Sequence, residues 1–188
     1  MVLSKIAEEV SSGVVSTIKG AGDVVSALRS AVKDQALGVL KDVGDIATSS
    51  VGEVSDVVEG VVSASGSISA SAVKVAKETA SAVVSAVSEL GGDVVKSSFQ
   101  IASGAVKGAA QAGEDLGGVA VSAIEGIIDE AGKVGANTAD ATKQAVMGAV
   151  SAADEIGSSS GEVVRKALLA AATLPRDVVE AAIEGSKK

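Results

Sequence analysis

Every eleventh residue of this chain falls in a like environment, and the beat runs through the whole 188-residue sequence. Steps of eleven from Leu90 reach Ile101, Ala112, Ala123, Val134, Ala145 and Ile156, and steps from Val83 reach Val94, Ala105, Leu116 and Ile127. Sorted by number modulo eleven, 43 of the 51 Val, Ile and Leu residues fall in five columns (remainders 2, 3, 6, 7 and 10), where chance would place about five elevenths of them. Those columns hold one of the 40 charged residues, Arg29. At ~100° per residue the five columns share one side of an α-helix, within an arc of roughly 130°. The alternation that a β-strand requires is absent, so the chain reads as all-α.

Eleven residues in three turns is 3.67 per turn, slightly unwound from an ideal helix, and a phase held over many repeats implies a partner surface along the whole length. The expectation is one very long amphipathic helix over residues 1–157, from Val2 to about Gly157, or helices joined there with little loss of phase; unbroken, it would be some 230 Å long at ~1.5 Å per residue. Its sister helices would form an oligomeric right-handed coiled coil or bundle. A folded-back hairpin is the alternative that the period leaves open. The stripe through which such helices assemble, or meet lipid, includes Val57, Val61, Ile68, Val83, Val84, Val87, Leu90, Val94, Ile101, Leu116, Ile124 and Ile127. Gly91, Gly113, Gly135 and Gly157 share one column of that face at intervals of 22, which suggests close helix contacts. With 22 Gly at ~1 kcal/mol each against helix formation, the folded state needs its stripe covered.

Punctuation is firm only near the end. Ser159 with Glu162 has the spacing of a capping box, and Pro175 is placed to start a short last helix that stops at Gly185. Residues 158–188 therefore read as capping or docking helices, with Leu168, Leu174, Pro175 and Val178 as the candidate docking residues for a partner protein.

Composition excludes several functions. There is no His, Cys, Tyr or Trp, so the usual bases, nucleophiles and metal ligands are missing and no cofactor or catalytic site is expected. Acid pairs such as Asp129-Glu130 and Asp154-Glu155 read as a solvated face. A net charge of −8 without a basic patch argues against nucleic acid. Glu8 and Glu9 stand where a signal peptide has its apolar run, and the longest uncharged stretch, Gly60–Val73, is too short and polar to span a bilayer. A cytoplasmic protein, peripheral at a membrane or lipid surface, is the expectation.

The eleven-mers SAVKVAKETAS (Ser71–Ser81), SGAVKGAAQAG (Ser103–Gly113) and TKQAVMGAVSA (Thr142–Ala152) resemble those of perilipins and synucleins, and of some late-embryogenesis-abundant proteins. The first likeness implies a coat that folds on a lipid-droplet or membrane surface, the second a stress-protective chain that is disordered in water. The Ala/Val/Gly-rich sequence is also similar to the membrane-tethering stalk subunit of high-affinity uptake nickel–iron hydrogenases. That likeness implies a homo-oligomeric stalk with a greasy interior, holding an enzyme near a membrane and its quinones. The leading expectation is accordingly a non-enzymatic scaffold that self-assembles through its stripe into a stalk or bundle, encloses lipid or quinone and tethers a partner enzyme. The alternatives are the lipid coat and the stress-protective chain.

Overall fold

Where the stripe predicts one helix, the chain turns back on itself at nearly regular intervals. The computed structural model describes residues 4–19, 22–42, 51–68 and 70–186, and of residues 42 and 51 only the backbone. Among the described residues there are ten helices and no strand: α1 (Lys5–Ile18), α2 (Val24–Asp42), α3 (Val51–Ser63), α4 (Ser65–Ile68), α5 (Ala72–Glu89), α6 (Val94–Ala112), α7 (Leu116–Lys133), α8 (Thr138–Ile156), α9 (Ser158–Ala170) and α10 (Arg176–Gly185). The all-α expectation holds. The single helix and the coiled coil do not form, although the expected start at Val2 lies outside the described residues.

The breaks have a local cause. Helices α5 to α8 begin at Ala72, Val94, Leu116 and Thr138, which are 22 residues apart. Immediately before them stand Ser71, Asp93, Asp115 and Asn137, and each side-chain oxygen accepts a backbone N–H of the first turn. At the other end, Gly91, Gly113 and Gly135 sit at φ 72°, 69° and 75°, the left-handed region that glycine enters without a Cβ penalty. The N–H groups of Gly92, Glu114 and Ala136 then return to the carbonyls of Val87, Ala109 and Ala131, each at 2.9 Å, closing a Schellman motif three times over. A helix and its turn together span two elevens. The beat therefore passes through the turns between α5 and α8 without slipping, and cannot distinguish a continuous helix from a stack of short ones.

Turns of three or four residues place consecutive helices antiparallel, so helices two apart run the same way. Two layers result: α1, α3, α6, α8 and α10 lie side by side in one, and α2, α5, α7 and α9 in the other. The helical turn α4 sits in the α3–α5 connection. One aliphatic core of Val, Ala, Ile and Leu runs between the layers from Val10 to Ile183. At Gly157 the backbone is extended (φ 160°, ψ 155°) and α9 starts at Ser158, two residues ahead of the 22-residue beat. Beyond that point α9 packs on α7 and α8, and α10 on α8.

Within a layer the helices approach through glycines that the stripe does not contain. A Cβ added at Gly60, Gly104, Gly126 or Gly148 would collide with the backbone carbonyl of Ala7, Ser55, Lys77 or Phe99 respectively. The last three contacts each reach back 49 residues, from α6 to α3, α7 to α5 and α8 to α6. Across the α5–α7 contact, the buried Ser81 Oγ donates to the carbonyl of Gly126 at 3.1 Å. Small residues let backbones meet closely, which is how a core with so few bulky side chains stays filled.

Candidate functional site

The structure turns the expected assembly stripe inward. Val57, Val61, Ile68, Val83, Val84, Val87, Val94, Ile101, Ile124 and Ile127 are buried in the chain's own core, and Leu90 and Leu116 pack half-buried against it. The continuous partner that the phase demanded is the neighbouring helix of the same molecule. Gly91, Gly113 and Gly135, expected as close helix contacts, instead shape the turns, and an added Cβ there, or at Gly157, would meet nothing within 4 Å. Of the C-terminal docking residues, Leu168 and Leu174 belong to the core, Val178 is half-buried and Pro175 is exposed.

Charge is arranged in cross-helix pairs. Arg29, the one charge in the apolar columns, spans three helices of one layer: from α2 its guanidinium meets Glu130 of α7 at 2.5 Å and Glu78 of α5 at 3.7 Å. Lys133 meets Glu130 at 3.0 Å. In the same layer Lys33 pairs with Glu89 at 2.8 Å, and Lys77 with Glu125 and Asp129 at 3.3 and 3.1 Å. The Asp129 and Glu125 carboxylates hold the Lys77 ammonium above its ordinary pKa. In the other layer Glu59 accepts from Gln111 between α3 and α6. Burial, and then the neighbouring Asp56, push the Glu59 carboxyl above its usual range. The solvent-exposed pairs among these, such as Lys33 with Glu89, contribute little energy. No group of three or more acidic residues is placed to hold a metal ion among the described residues, and none of the described helices is long and apolar enough to cross a membrane.

What the layers leave open is the outer side of α9. Its inner side is committed through Gly161, Val164 and Leu168. Opposite, Val163 is 48% and Leu169 41% exposed, and with Val73 of α5 they are the exposed large hydrophobics of the described residues. They flank a cleft of about 360 Å³ lined also by Ser159, Glu162, Arg165 and Lys166. The stripe did not reveal them, because both stand outside its five columns. Of the eight Val, Ile and Leu residues off the stripe, only these two end up exposed, so standing off the stripe does not by itself mark them.

No family model matches the sequence, and no curated protein does. Among solved structures, the crystal structure of a de novo designed helical repeat protein superposes with a TM-score of 0.52, covering 96% of this chain and 95% of its own at 19% identity. At that identity the likeness concerns the fold: a two-layered stack of helical repeats.

Proposed function

We propose that this chain is a non-catalytic repeat scaffold that pairs with a second copy through the outer side of α9. The carrying observation is the exposure of Val163 and Leu169 on a helix that ends its layer. Within that layer α7 is covered by α5 on one side and α9 on the other, whereas α9 has only α7. The missing cover is another amphipathic helix, and the α9 of a second copy has the same need. Glu162 and Lys166 lie one turn apart on this side, so a two-fold axis can set each against its opposite in the partner. The joined copies would form one stack of double length, a scaffold whose free ends are available to further partners. A lipid coat, by contrast, requires the stack to open, since the stripe that would meet lipid is the one holding the helices together.

The test is sedimentation across a wide concentration range, with and without anionic vesicles. The expected result is a reversible dimer in buffer that becomes monomeric on the double substitution Val163→Lys and Leu169→Lys, with helicity unchanged. A wild-type protein that stays monomeric at every concentration overturns the reading, and helix gained only on vesicles favours the coat.

A further inference from the structure

The chain contains one aromatic residue, Phe99, and one methionine after the first, Met147, and both line the same groove. The groove, about 580 Å³, lies along α8 between α6 and the end of α10. Val150, one turn beyond Met147, continues its apolar lining, and α10 contributes only Gly185 and Ser186, which have little side chain to fill it.

The repeat itself provides the control. Gly104 meets the carbonyl of Ser55 as Gly148 meets that of Phe99, so α6 sits on α3 as α8 sits on α6. The positions 44 residues before Phe99 and Met147 are Ser55 and Ser103. Elsewhere in the register of Phe99 stand Lys77, Val121, Lys143 and Arg165. The packing of one helix on the next therefore requires a large apolar group at neither place, yet both receive one, and the thioether of Met147 is of the soft kind that adapts to a guest. The charges at the rim are answered within the chain: Arg165 grips Asp154 with both terminal nitrogens, and Lys107 meets Glu155 at 3.1 Å. The Ser186 hydroxyl donates to the carbonyl of Ile183 at 2.8 Å, which leaves the Ser151 hydroxyl as the polar group beside the apolar lining.

We infer that this groove binds an uncharged amphiphile, a single aliphatic chain ending in a hydroxyl-bearing head, with the chain against Phe99 and Met147 and the head at Ser151. Phe99, Met147 and Val150 offer the chain an apolar wall, and the two carboxylates of the rim are already paired with Arg165 and Lys107. The inference is independent of pairing through α9.

The full-length protein has no Trp or Tyr, so binding of N-phenylnaphthylamine is read by fluorescence without background. The expected result is saturable binding of one probe per chain, displaced by decyl alcohol. The double substitution Phe99→Ser and Met147→Ser, which restores the residues of the preceding repeat, should weaken binding by about tenfold or more while the cooperative melt persists. If that variant fails to fold, NMR of methyl-labelled methionine in the wild type decides: the Met147 methyl signal should move on adding decyl alcohol. Absence of displaceable binding, binding unchanged in the folded double variant, or a Met147 methyl that stays put at saturation would each overturn the assignment.

Discussion

One methyl group separates glycine from alanine, and the glycines of this chain answer its addition in three different ways. At Gly148 the new Cβ would strike the Phe99 carbonyl, so Gly148→Ala should destabilise by about 1–3 kcal/mol through overpacking. At Gly135 there is open space but φ is 75°, and Gly135→Ala should cost about 1 kcal/mol as strain alone. At Gly38, inside α2 with nothing within 4 Å, Gly38→Ala should stabilise by roughly 0.5–1 kcal/mol. Urea titrations of the three variants check the order, and equal effects would show that the close approach of helices does not matter. Glu59 makes a prediction about pH. Its folded pKa lies above the unfolded value, so the folded state binds the proton more tightly. The contribution of this group to stability is therefore greatest at low pH and is lost as pH rises through the carboxylate range. Glu59→Gln should accordingly raise the melting temperature at neutral pH, and the gain should vanish on acidification. A melting temperature that responds equally at both ends would sink this.

At the scale of the element, the decisive unit is the helix with its turn, and the sequence spells it out only when read at twice the obvious period. Modulo eleven, the cap residues Ser71, Asp93, Asp115 and Asn137 share a column with Gly60, Gly104, Gly126 and Gly148, and the two sets blur into a neutral polar-and-small position. Modulo 22 they separate into helix starts and backbone contacts. The same folding together put Gly91, Gly113 and Gly135 into the column of Val58, Ala102, Ile124 and Val146, which are buried, and so made turn glycines look like packing glycines. Helical class, the apolar stripe, the polar side and the last helix after Pro175 were thus legible in the residues, whereas the turns between α5 and α8 were not. The exposed pair on α9 was equally hidden, because its exposure follows from standing last in a layer, which no local pattern records. The last elements also behave differently from a detachable tail. Deleting Ser158–Lys188 removes Val164, Leu168, Leu174, Val179 and Ile183 from the core. At ~1.5–3 kcal/mol for each buried side chain, that loss is a large part of a marginal stability. The truncated chain should unfold at markedly lower urea and expose α7 and α8 to aggregation. Unchanged unfolding would mean that the two helices merely rest on the stack.

The whole molecule is close to one-dimensional, since, with the single turn α4 set aside, each helix touches mainly its neighbours one and two places along. Insertions should therefore respect the unit. Duplicating residues 93–136 adds one helix to each layer and should lengthen the stack, steepen the denaturant dependence and leave unfolding cooperative. Inserting only the eleven residues of Ser81–Gly91 after Gly91 keeps the stripe in phase but supplies half a unit, with no place in either layer. It should lower the unfolding midpoint, and an insertion variant as stable as the parent would restore the continuous-helix reading. The repeated turn has a mechanical consequence as well. A chain held at its two ends and drawn apart would release helices at positions set by the same glycine cap, each giving up 22 residues, or about 75 Å of extended length at ~3.4 Å per residue. Its force–extension trace would be a staircase of near-equal treads through α5 to α8, with odd steps at either end where the spacing of helices departs from 22.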